Sequence, residues 1–110
     1  MANVPQTLTL QQRIILDHLR HARGSPLPIE RLVAAVYGSR HDGGPENAAA
    51  VVKVQICHMR RCLGSHGVRI LTIGFGRNAQ GYMIDPDHLD LLESVLATLE
   101  QIAIEIARAR

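Results

Sequence analysis

The chain has 110 residues, room for one domain and one added element, and its 46% hydrophobic content is enough to form a core. Aromatic residues are confined to Tyr37, Phe75 and Tyr82, which excludes a base-stacking platform for single strands and leaves an aliphatic interior. The net charge of +2 conceals a division: residues 1–84 carry +6 and residues 85–110 carry −4, so a basic body is followed by an acidic tail.

In chain order, Thr9 and Gln12 have the spacing of a capping box. Ile14, Ile15, Leu16, Leu19 and Ala22 then fill a first helix of about three turns that ends at Gly24. Ser25-Pro26-Leu27-Pro28 reads as a stiff connector, with Pro28 at the first position of a second helix through Ile29, Leu32, Val33 and Val36. That helix stops at Gly38, and the glycine-rich stretch to Pro45 is a loop. From Glu46 to Leu63 the apolar residues Val52, Ile56, Met59 and Leu63 fall on one helical face, and Gly64 closes the helix. Val68–Ile73 and Tyr82–Ile84 read as two strands joined by the glycine-punctuated segment 74–81. Asp85-Pro86 opens a last helix, a capping carboxylate followed by a proline in the first turn.

No apolar run reaches the length of a membrane span, and the first residues lack a signal-peptide core. The expected location is the cytoplasm, with no membrane partner. Cys57 and Cys62 diverge by about 140° on a helix, which forbids a disulfide within it and fits a reducing compartment.

Several spaced residue sets carry a family likeness. Leu8-Thr9 precedes the first helix, Leu32 and Tyr37-Gly38 close the second, and Ile56-Cys57-His58-Met59-Arg60-Arg61-Cys62-Leu63 lies in the third. Ile70-Leu71-Thr72-Ile73 then leads to Gly81-Tyr82. Over residues 8–84 the chain resembles the winged helix-turn-helix effector domain of OmpR/PhoB-type response regulators. The resemblance implies an α+β fold, mostly α, with a C-terminal β-hairpin wing. It also implies a third helix that enters the major groove, a wing at the adjacent minor groove, and a loop between helices two and three able to contact RNA polymerase. Against that pattern, these 110 residues are expected to hold no receiver domain. Eight residues before the first helix are also too few for that family's usual N-terminal sheet, and Tyr37 stands where a Trp is usual. Lys53 replaces an acidic residue, Cys62 replaces a basic one, and the wing is longer. Residues 1–84 are expected to form the DNA-binding domain and residues 85–110 an added amphipathic helix.

With Val52, Ile56, Met59 and Leu63 buried, a turn of about 100° per residue points Asn47, Ala50, Val54, His58 and Arg61 the opposite way, with Lys53, Cys57 and Arg60 on one flank. Lys53, Arg60 and Arg61 suit phosphates, Asn47 an adenine edge, His58 a guanine, and Ala50 or Val54 a thymine methyl. On the wing, Arg77 and Asn78 between glycines suit a narrow minor groove, and Arg69 and Thr72 flank it as phosphate holders. The expected partner is double-stranded DNA.

In the last helix, Leu89, Leu92, Leu96, Leu99, Ala103 and Ile106 form a heptad-like seam, widened by Leu91, Val95 and Ile102. Two arrangements satisfy that pattern: folding back on the chain's own domain, or pairing with a second copy. The width of the apolar surface favours a homodimer through Leu89, Leu92, Val95, Leu96, Leu99, Ile102 and Ile106.

Other chemistry has little support. His18 with His21, and Cys62 with His66, do not make a closed set of four zinc ligands, so no metal or other cofactor is expected. Ser25, Ser39, Ser65 and Ser94 lie in no nucleophile-elbow context, and the glycines near Phe75 lack the ending of a phosphate loop, so no enzyme is expected. The leading expectation is a transcription regulator; the alternative is an adaptor or inhibitor of the transcription machinery that does not touch DNA. An exposed apolar patch around Val51, Val54 and Cys57 would favour the second.

Overall fold

The computed structural model describes residues 8–41, 44–74 and 81–109. The first helix, α1 (Leu10–His21), starts where Gln12 N–H donates to Thr9 Oγ1 at 3.2 Å and Thr9 N–H donates to Gln12 Oε1 at 3.1 Å. Two of the donors that every helix start leaves open are thereby satisfied. Ile15, Leu16 and Leu19 turn into the core and are fully buried. Past the helix, Arg23 and Gly24 take φ of 50° and 83° to reverse the chain. A Cβ on Gly24 would stand 2.9 Å from Pro86 Cγ, so this turn lies hard against the start of the last helix.

Residues expected to be only a connector include a strand, β1 (Leu27–Pro28). Pro28 precedes the second helix as its N-cap instead of opening it, and α2 (Ile29–Tyr37) follows. The third helix, α3 (Ala48–Gly64), begins after Asn47, two residues later than the sequence pattern places it. Gly64 does not close it. The chain leaves the helix at Gly67, where φ is 86°, Val68 N–H donates to Leu63 O at 3.0 Å and Gly67 N–H donates to Gly64 O at 3.0 Å. This is a Schellman closure, which needs a residue tolerant of left-handed backbone at Gly67 and an apolar one at Val68.

The strands β2 (Ile70–Ile73) and β3 (Gly81–Ile84) are antiparallel, with Thr72 opposite Tyr82 and Ile73 opposite Gly81. β1 adds to the other edge of β3, Leu27 opposite Tyr82, giving the order β1-β3-β2. A 3₁₀ turn (Pro86–His88), opened by Asp85 accepting from Asp87 N–H at 3.0 Å, leads into α4 (Leu89–Arg108). The fold is therefore α+β, mostly helical, with one small antiparallel sheet. No helix among the described residues is long and apolar enough to cross a membrane.

The course of α4 corrects the sequence-based expectation for it. Leu92, Val95, Leu96 and Leu99, expected at a contact between two copies, are buried in the chain's own core with α1, α2 and α3, and Leu89 packs against that core. Each fully buried side chain of this size contributes about 1.5–3 kcal/mol, so the four make α4 part of the body and not a projecting tail. Of the residues assigned to pairing, Ile102 is half-buried and Ile106 is exposed.

Two ion pairs follow the same alignment. Arg13 meets Glu100 at 3.1 Å and Arg20 meets Glu93 at 3.2 Å, two pairs that run antiparallel along α1 and α4. The acidic tail thus neutralises the first helix of its own basic body. Such exposed pairs add little stability, and apolar burial carries the contact. Leu96→Ala is expected to lower stability by about 2–5 kcal/mol, whereas Ile104→Ala stays within about 0.5 kcal/mol. Urea unfolding followed by circular dichroism measures both, and equal, small effects would contradict the packing of α4.

Candidate nucleic-acid interface

The rotation of α3 about its axis is fixed from three sides. Val52, Ile56, Met59 and Leu63 are buried beneath it, as the apolar spacing requires, and Ala48 and Cys62 join them. Towards α1, Gln55 accepts from Gln12 Nε2 at 2.9 Å and donates to Gln11 Oε1 at 3.3 Å. Towards the hairpin, Arg60 donates from Nε to Ile70 O at 3.1 Å and from one terminal nitrogen to the same oxygen at 2.9 Å. That terminal nitrogen also donates to Thr72 Oγ1. The guanidinium lies 5.5 Å from the centre of the Tyr82 ring, a cation–π distance.

With these contacts in place, Asn47, Ala50, Val54, Cys57, His58 and Arg61 are all exposed along one side of α3. The sequence pattern placed five of these on the outward face and put Cys57 on the flank with Lys53 and Arg60, where Cys57 is exposed and the other two are half-buried. Lys53 is half-buried and sits two turns before Arg60 on the hairpin side. The helix holds no carboxylate along its whole length.

Arg60 and Thr72 take a different role from the one expected. Both were assigned to phosphates, yet the Arg60 fork is committed to β2 and Thr72 is one of its acceptors. Arg60 also covers an edge. Asp85 N–H donates to Arg69 O, so alternation along the ladder turns the backbone groups of Ile70 away from β3, and the guanidinium occupies the outward carbonyl. The same alternation sends the Arg69 side chain to the opposite side of the strand from Ile70 and Thr72, away from α3. Arg69 is exposed and does not join the group on α3. Arg77 and Asn78 lie outside the described residues.

The positioning roles of Gln12, Gln55 and Arg60 were missed from sequence. Paired glutamines at the start of a helix and a guanidinium on a helix flank read as solvated groups until their distant partners are known. One signal was available: Arg60 lies next to the buried stripe, nearer to Ile56 in rotation than to Arg61.

No family model, curated protein or solved structure matches this chain.

The two cysteines report the rotation directly. Cys57 is exposed, whereas Cys62 is buried and burial pushes its thiol pKa up. A buried thiol kept protonated is a poor nucleophile. An aromatic disulfide reagent at neutral pH is expected to modify Cys57 in the native protein and Cys62 only after unfolding. Equal reactivity of the two thiols would show that α3 is turned otherwise.

Proposed function

We propose that this chain is a winged helix-turn-helix DNA-binding protein that regulates transcription, with α3 in the major groove and the β2–β3 hairpin beside it. The observation that carries the reading is the exposed, carboxylate-free side of α3, opposite its anchored stripe and tied to a hairpin by Arg60. A helix with its side chains is about 10–12 Å across and fits a major groove about 12 Å wide. Arg61 and Lys53 serve phosphates, and Asn47 and His58 serve base edges. The element order α1-β1-α2-α3-β2-β3, with the sheet order β1-β3-β2, agrees with the family resemblance of residues 8–84. In this reading the chain binds and does not catalyse.

The competing reading, a protein-binding adaptor, draws on the apolar patch in the middle of this surface, where Val54 is 53% exposed, Cys57 is exposed and Val51 is half-buried. The cations around it favour a polyanion, and salt dependence separates the two. Each phosphate contact releases counterion, so Arg61→Ala and Lys53→Ala are each expected to weaken duplex binding and to reduce the log–log salt slope by about 1. Filter retention of labelled duplex across a salt series measures this. Wild-type affinity and slope in both variants would remove α3 from the interface.

Pairing of two copies remains part of the proposal in a narrower form. Past Leu99, α4 continues with Ile102 half-buried and Ile106 37% exposed, and Leu10 at the start of α1 is 78% exposed. A second copy covering these residues would tether two DNA-reading helices and raise affinity through effective concentration. The wild-type protein is expected to sediment at twice the 12.1 kDa of one chain, and Ile106→Asp at the mass of one. A single-chain mass for the wild type at all concentrations would exclude the pairing.

A further inference from the structure

We infer that the groove-facing surface of α3 reads C5 methyl groups of pyrimidines, through a stripe made by Ala50, Val54 and Cys57. The inference rests on the DNA-binding reading above and specifies what that surface recognises. The three residues recur at the spacing i, i+4, i+7, and all three are exposed. They lie between Asn47 at one end of the surface and His58 and Arg61 at the other.

A methyl, an isopropyl and a thiol offer at most one weak hydrogen bond among them, so they cannot read purine edges by donor and acceptor pattern. In the major groove, the apolar feature that distinguishes one base pair from another is the thymine C5 methyl. The stripe is about 10 Å long at 1.5 Å per residue, which matches about three base-pair steps of 3.4 Å. Short side chains also let the helix backbone approach the groove floor closely. A merely solvated surface would favour residues with higher helix propensity than valine. A protein partner would be met by a stripe bordered by Lys53 and Arg61 with no carboxylate on the helix, a charge pattern that suits two phosphate rails better.

The test compares alternating dA-dT and dA-dU duplexes of equal length, which differ only in the C5 methyl, as ligands for the full chain. The wild type is expected to bind the dA-dT duplex roughly fourfold more tightly for each methyl contacted. Val54→Ser is expected to lose that preference. Val54 is exposed, so its replacement leaves the core intact, and the melting curve checks this. Arg61→Ala should weaken both duplexes by one common factor. If the wild type binds both duplexes equally, methyl reading is overturned while DNA binding stands. If the preference survives in Val54→Ser, the stripe is not the reader. If neither duplex is bound at any salt, both the inference and the DNA-binding reading fail.

Discussion

Val52, Ile56, Met59 and Leu63 lock α3 against the body of the protein, and most of the surface architecture follows from that one contact. A helix advances about 100° per residue, so once four side chains are buried the direction of every other one is set. Rotation by a single residue would bring Lys53 towards the interior and expose Met59. Burying an unpaired ammonium and exposing a methionine both cost free energy, which makes the observed rotation strongly preferred. The glutamine network towards α1 and the Arg60 fork towards β2 act on the two flanks, and each matches the rotation that the core dictates. Agreement among independent local preferences is what gives a chain one structure rather than several.

Electrostatics then decides which surface remains cationic. The carboxylates Glu93 and Glu100 are spent on Arg20 and Arg13, along the contact between α4 and α1. α3 carries no carboxylate of its own to offset the charge of Lys53 and Arg61. A chain with a small net charge can in this way hold a local potential able to attract a polyanion. The pairs on α1 and α4 matter less for stability than for this sorting of charge.

Local signals were the legible ones. The Thr9–Gln12 capping box, the α3 stripe and its opposite side follow from spacings of a few residues, and all can be read without knowing the fold. β1 could not. It has two residues, one of them a proline, and it exists because Leu27 meets Tyr82 far along the chain. The C-terminal helix was misassigned for a related reason. A wide apolar surface shows that something covers a helix but not what covers it, and here α1 and the rest of the core do. The matching spacing of Arg13 with Arg20 and of Glu93 with Glu100 was a readable hint of the antiparallel contact. Arg60 was misread because an arginine on the flank of an exposed helix has the same sequence signature whether it faces solvent or is held by a strand carbonyl.

The anchoring of Arg60 to β2 has a consequence for how α3 and the hairpin would dock together. A guanidinium held against Ile70 O, Thr72 and the Tyr82 ring joins α3 and the hairpin into one unit. Two separately mobile elements would each lose freedom on docking to a duplex. Two elements already held at a fixed angle lose far less, and the saving appears directly in affinity. The remaining polar contacts on α3 can then be few. A surface with only Asn47, His58, Lys53 and Arg61 to offer depends on such preorganisation more than one rich in arginine would.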